Sequence, residues 1–343
     1  MPRGLRLLVW AASAVIVLFG LRQVSSIAGP AFFALTLTVA VGPLRVWLRR
    51  KHARPWVLVV VPLATVLVIF LGLILATIIS VARFAALVPT YAAQYQELLN
   101  WATQELSRLG ITTAEAKQAL SQLDVGKLVG LAESVLTSLV GTVSTCVVIV
   151  LLLYGLSMDV VPLERTVRGL RKVRPQLVDA MYEFAQGTCR YLVVSSVFGL
   201  IVAVLDTAAL VILDVPLPLL WGLLAFITNF IPNVGFIIGL LPPALLGLLD
   251  SGPVTMLWVI FVYCVLNFVI QSVIQPKFTG RSAGLSTTIT FLSLLVWTWA
   301  LGAIGAILAV PLSAFVRALL LDADPNTSWA SPLVSGVPAK DEG

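Results

Sequence analysis

The chain has 343 residues, 59% of them hydrophobic and only 11% charged, with a mean hydropathy of +1.02. Soluble domains carry roughly 25% charged residues, so this composition excludes an ordinary soluble domain and describes a polytopic integral membrane protein. The net charge of +6 is spread over short loops between apolar runs, which is the pattern membrane topology produces and no reason to invoke nucleic acid.

The first apolar run, residues 5–21, follows Arg3 and Arg6 as a signal peptide would. The second run begins at once and no small-residue cleavage site precedes it, so the first reads as a retained span. A Gly29-Pro30 turn leads into residues 31–48, which end among Arg45, Arg49, Arg50, Lys51 and Arg54. Short basic loops stay cytoplasmic, which places this loop and the N-terminus inside. His52 lies in the same loop and reads as a solvated residue, because a metal site needs partners that are not there. A third span covers residues 56–80.

Residues 81–134 differ in kind. Tyr91, Tyr95, Leu98, Ala102, Leu106 and Leu109 share one helical face, and Thr112 with Glu115 forms a capping box that starts a second short helix. These extracytoplasmic amphipathic helices build either a vestibule or oligomer contact, or lie apolar face down on the lipid surface. The fourth span, residues 135–156, returns the chain to Arg165, Arg168, Arg171, Lys172 and Arg174, on the same side as the first basic cluster.

The fifth span, residues 191–213, carries Asp206, a carboxylate embedded in a long apolar run. Insertion scales put an acid at a helix centre at about +2.5 to +3.5 kcal/mol, a cost that normally reports a use. Ser195, Gly199, Val202 and Asp206 form a stripe of mostly small residues that permits close helix contact. Asp206 is either a proton or coupling-ion site, or a structural or hydrated interfacial carboxylate, with Asp214 marking the boundary.

Residues 217–249 are apolar for far longer than the roughly 20 residues that cross a bilayer, yet they are broken by Asn229-Phe-Ile-Pro-Asn-Val-Gly235. Pro232 has no amide hydrogen and disfavours helical geometry at Ile231, and Gly235 adds freedom just beyond. The freed backbone groups and the side chains of Asn229 and Asn233 are tolerated at membrane depth only where protein or a cavity satisfies them. After an Asp250-Ser-Gly-Pro253 turn, residues 254–275 form a span in which Asn267, Gln271 and Gln275 recur on one face. Such a stripe either hydrogen-bonds neighbouring helices or lines a solute route. Pro276 ends that span near Lys277 and Arg281. The last apolar region, residues 285–321, is again over-long and is interrupted at Gly302, Gly305 and Pro311, and the tail 322–343 reads as disordered. Cys146, Cys189 and Cys264 show no paired or metal-type spacing and read as small buried hydrophobes.

The expected fold is an all-α polytopic membrane protein of about eight transmembrane segments. Regions 217–249 and 285–321 are interrupted and read either as full crossings or as re-entrant hairpins. The organisation is three transmembrane helices in 1–80, the amphipathic insertion 81–134, the fourth helix and basic loop in 135–190, a transport core in 191–321 and the tail 322–343. Asp206, Phe226 and Pro242 can be set beside Asn267, Phe291 and Pro311 as an internal repeat. If 217–249 turns back, Lys277 and Arg281 fall inside and the two units have opposite orientations, as in transporters built from inverted repeats.

The run from Asn229 to Pro242, Gln271-Ser-Val-Ile-Gln-Pro-Lys277 and Gly302-Ala-Ile-Gly-Ala-Ile-Leu-Ala-Val-Pro311 resemble the autoinducer-2 exporter family of bacterial membrane permeases. The similarity extends over nearly the whole chain. It implies a transporter with eight segments or hairpins in the bacterial cytoplasmic membrane, and an oligomer, described in the family as a pentamer. It carries Asn229, Pro232, Asn233 and Gly235, with Gln271, Gln275 and Pro276, as pathway residues.

Three functions follow. The first is a secondary transporter, in the family sense an exporter, of a small polar solute: Asn229, Pro232, Asn233, Gly235, Asn267, Gln271 and Gln275 form the route, and Asp206 takes a proton or cation. The second is a sodium or lithium/proton antiporter on the same scaffold. The third is a membrane scaffold without transport. No ATP-binding motif, nucleophile and base pair, or metal-ligand cluster is present, so an enzyme is not expected and neither is a cofactor. The expected partners are the lipid bilayer, the solute, and a proton or sodium ion. Both termini are expected in the cytoplasm.

Overall fold

The computed structural model of the chain describes residues 3–91, 145–160, 169–232, 234–279 and 285–324, with isolated positions between 93 and 167. Among the described residues all regular structure is helical. Five helices are long and apolar enough to cross a membrane: Ser25–Arg50, Val57–Tyr91, Pro175–Ile212, Pro253–Ile274 and Thr287–Ile307. Their outward residues, such as Val68 at 72% exposure and Ile212 at 83%, are aliphatic, as lipid contact requires.

Helix α1 (Arg3–Gln23) runs almost directly into α2 (Ser25–Ala40), and α3 (Gly42–Arg50) follows with proline in its first turn. The turn expected at Gly29-Pro30 is absent: both residues are buried within α2. Proline there already has helical φ and forfeits only one amide bond, and the bare Gly29 backbone faces Ile304. Helix α4 (Val57–Leu87) continues through a 3-10 turn to Tyr91, well past residue 80. The described part of the fourth apolar run is α5 (Thr145–Val160). Ala34, Val66, Ile149 and Leu153 join α2, α4 and α5 in one core cluster. The helical pattern expected from Tyr95 to Leu109, the capping box at Thr112 and the tail beyond residue 324 lie outside the described residues, apart from isolated positions.

Helix α6 (Pro175–Ile212) has 38 residues and starts in the basic loop rather than at residue 191. Helices α7 (Pro218–Thr228) and α8 (Gly235–Ser251) follow, with 11 and 17 residues. Each is short of the roughly 20 residues that span a bilayer. The chain reverses between them, because Gly239 packs on Ala225 and Thr228, and a Cβ at Gly235 would overlap the Thr228 carbonyl. This is the first hairpin. Helix α9 (Pro253–Asn267) enters through Gly252, at φ 90°, and continues as a π-helix (Phe268–Ile274) and the short α10 (Gln275–Thr279).

Helix α11 (Thr287–Ile307) is capped by the Ser286 side chain and breaks at Gly302, whose φ of 67° is left-handed. It leads through Leu308 to α12 (Ala309–Arg317) and a second π-turn (Ala318–Asp322). Ser313 accepts a hydrogen bond from Trp297 (2.8 Å) and donates one to Ser293 (2.7 Å), so α11 and α12 lie antiparallel as a second hairpin. The interruption expected at Pro311 falls three residues earlier, at Leu308. Pro311 itself sits in the first turn of α12, where a missing amide hydrogen costs nothing.

Helix α6 relates the two hairpins. Its N-terminal Phe184 stacks on Phe315 in the last turns of α12, and its C-terminal Leu210 packs with Leu220 and Leu246 near the open end of the first hairpin. Between them Tyr191 and Leu192 meet both Val310 and Phe230. The hairpins therefore enter from opposite ends of α6, and Ile231 and Val234 at the first tip pack on the cluster around Leu301 and Ala306. Phe226 and Phe291 fall in the first arms and Pro242 and Pro311 in the second, but at different depths: Phe226 lies at the end of its helix and Phe291 near the start, Pro242 in mid-helix and Pro311 in a first turn. At the open end of the first hairpin, Tyr91 donates a 2.6 Å hydrogen bond to Asp250, tying the end of α4 to the end of α8.

Candidate functional site

Asn229 caps the C-terminal end of α7 at the tip of the first hairpin, where proline three residues on leaves the chain no helical continuation. Its side chain turns towards α6 and donates to the Ser195 carbonyl at 2.9 Å. That approach depends on Gly199, where a Cβ would stand 2.8 Å from Asn229 Nδ2. The small-residue stripe is thus the seat of an amide from the hairpin tip, and it also holds the acid, since Ser195 and Val202 are 1% exposed and Asp206 is fully buried.

From the other side comes the amide stripe of α9. Asn267 bonds back to the Tyr263 carbonyl at 2.8 Å. Gln271 Nε2 donates twice, to Asn267 Oδ1 at 2.7 Å and to Asn229 Oδ1 at 3.0 Å. A four-residue repeat on an α-helix drifts by about 40° a step. The π-helix that holds Gln271 has more residues per turn and turns that drift back, which keeps Asn267, Gln271 and Gln275 over one cavity.

Two cavities flank this amide layer. The larger, about 920 Å³, is lined by Tyr191, Ser195, Asn229, Pro232, Asn267, Gln271, Gln275 and Thr290 on its polar and turn-forming side. Phe236, Phe261 and Phe268 supply apolar wall, and no charged side chain is among its lining residues. The smaller is lined by Asp206, Thr228, Tyr263 and Gly239 together with Asn229, Asn267 and Gln271, and has about 10 Å³ for the centre of a water-sized sphere, room for one water. Both carboxylate oxygens of Asp206 and the Tyr263 hydroxyl are buried without a protein hydrogen-bond partner. Burying such groups unpaired is costly, so this chamber is where the fold concentrates unsatisfied polarity.

Asp206, Asn229, Asn267 and Gln271 are thus brought together, and Pro232 and Gln275 join the wall of the larger cavity. The reading of Asp206 as a hydrated interfacial acid is overturned, because the side chain has no exposed surface. Gly235 reaches neither cavity and instead closes the hairpin against Thr228. Asn233 lies outside the described residues. Sequence reasoning missed Tyr263, although it sits four residues before Asn267 and extends the same stripe, and it missed Thr228 and Tyr191, which carry no signal beyond their neighbours. Cys146 is buried as expected, but Cys264 is exposed on α9 and lines the larger cavity. The Cys189 thiol donates to the Ala40 carbonyl at 3.7 Å.

An all-α membrane protein with two helical hairpins, one of which meets an amide-lined cavity at its tip, falls among the multi-pass helical membrane transporters. The chain belongs to the family described as AI-2E family transporter, whose pattern matches residues 7–323. It is 30% identical over 318 residues to the AI-2 transport protein TqsA of Escherichia coli K12, covering 92% of each chain. It is 26% identical to the putative transport protein YhhT of the same strain, over 92% of this chain and 90% of that one. A putative transport protein of Haemophilus influenzae is 26% identical over 97% of both chains.

Proposed function

We propose that this protein is a secondary transporter that carries a small, polar, uncharged solute through the amide-lined cavity, with Asp206 taking the proton or monovalent cation that couples movement to a gradient. The cavity carries the reading: its volume suits a small organic molecule, its polar side chains are mainly amides and hydroxyls, and none of the described lining residues is charged. An anionic solute would find no cation among them. The likeness to TqsA, an AI-2 transport protein, supports autoinducer-2 or a comparable oxygen-rich molecule as the solute, and the resemblance to autoinducer-2 exporters supports export as the direction. The sequence holds no phosphate-binding loop to drive transport with ATP. In this reading the hairpins are re-entrant from opposite faces of the bacterial cytoplasmic membrane, both termini are cytoplasmic, and the chain assembles with copies of itself, as the family resemblance suggests.

Purified protein in liposomes, tested against a panel of small polar metabolites, is expected to move at least one, with a dependence on a proton or cation gradient that Asp206→Asn removes. A well-folded Asp206→Asn protein with unchanged gradient dependence eliminates the acid from the mechanism. No flux of any solute eliminates the transporter reading.

One observation favours a second reading, sodium or lithium/proton exchange. The Asp206 chamber has room for a single water-sized ligand and presents a carboxylate and the Tyr263 hydroxyl to it. Proton release from liposomes on adding sodium or lithium, without organic solute, separates this from solute export.

A further inference from the structure

Asn229, Phe236, Asn267 and Gln271 line both cavities, so three amides and one phenyl ring form the layer between the solute space and the Asp206 chamber. Only Gln271 bridges the layer from one side to the other: its single amide nitrogen holds Asn229 on the hairpin tip and Asn267 on α9. The other two amides are anchored to backbone, Asn229 on Ser195 and Asn267 on Tyr263. The bridging side chain is also the one set in π-helical rather than α-helical backbone.

We propose that Gln271 is the gate between the two cavities, and that a solute opens it by accepting the hydrogens Gln271 otherwise gives to Asn229 and Asn267. This rests on the transport reading above and specifies its coupling step. A solute hydroxyl in the larger cavity can accept from Gln271 and donate to an asparagine oxygen that Gln271 leaves, so the exchange pairs what it frees and costs little. Once Gln271 turns to the solute, the layer is bridged only by packing, and one small ligand reaches Asp206. An ammonium ion offers the Gln271 hydrogens no acceptor, so opening for it would strand them unpaired and the gate stays shut. The gate therefore selects oxygen acceptors and ties their arrival to access at the acid.

The test reads access rather than transport. In the full chain with Cys146, Cys189 and Cys264 replaced by serine, Asp206→Cys supplies a thiol in the small chamber. Its modification by water-soluble aminoethyl methanethiosulfonate is followed by mass spectrometry, on protein that elutes as a single species. With Gln271 in place the reaction is expected to be slow, and Gln271→Ala is expected to speed it about tenfold through loss of the bridging bonds. Gln271→Leu, which keeps the bulk and loses the bonds, is expected to speed it as well, whereas Ser313→Ala, in the second hairpin and lining neither cavity, leaves it unchanged. Equal rates with and without Gln271, a slow Gln271→Leu protein, or equal acceleration by Ser313→Ala each overturn the gate. Acceleration by Gln271→Ala in a protein that moves no solute keeps the gate and removes the transport reading. Solute flux without acceleration does the reverse.

Discussion

The two hairpins share a construction and differ in chemistry. Each places a glycine, Gly235 or Gly305, where a Cβ would overlap a carbonyl of the preceding arm, Thr228 in one and Trp297 in the other. The first sends its tip amide outward, into bonds with α6 and the π-helix. The second bonds Trp297, Ser313 and Ser293 in a chain between its own arms and lends Thr290, near its open end, to the wall of the larger cavity. Its tip presents aliphatic side chains, and Ile231 and Val234 of the first hairpin rest against them. One hairpin is built to bind and the other to seat it, which shows that pseudo-symmetric architecture does not require pseudo-symmetric sites.

The shared part is tested most severely. Gly235→Val and Gly305→Val are each expected to destabilise the protein by about 3 kcal/mol or more, because backbone rather than a movable side chain blocks the new methyl groups. Thermal unfolding in detergent reads this, and an intact Gly305→Val protein would end the equivalence of the two turns. The chemical difference is tested next. Asn229→Ala removes both outward bonds and is expected to cut solute flux about tenfold while leaving a folded protein. Ser313→Ala has the smallest expected effect: a loss of about 1 kcal/mol in stability, with flux per folded molecule unchanged. If Ser313→Ala instead matched Asn229→Ala in flux, the bonded chain of the second hairpin would be part of the binding site.

Much of this was legible in the sequence, for a physical reason. Pro232 deletes a donor and Gly302 adopts a left-handed φ, and both facts act within one turn of the residue, so the breaks in the two over-long regions fall where residue chemistry puts them. The four-residue spacing of Asn267, Gln271 and Gln275 likewise found the face that meets the cavity. Pro30 misled, because it lies inside α2 where packing carries the helix through it, whereas Pro311 sits in the first turn after the break at Leu308. Tyr263 was invisible as a site residue because a tyrosine in an apolar run looks like core, and only the placement of α6 shows that its hydroxyl shares a chamber with Asp206. Gly199 was legible as a small residue, but not the asparagine side chain that needs it to be small.

The π-helix from Phe268 to Ile274 has a further consequence. A π-turn holds surplus residues relative to an α-turn, and that surplus can migrate along a helix while the segments on either side keep their places. Moving it past Gln271 by one position rotates that side chain by about 100° about the helix axis, with α9 and α10 held where they are. The helix thus contains its own slack, placed at the residue that bridges the two cavities, and a large rotation there requires no movement of the surrounding bundle.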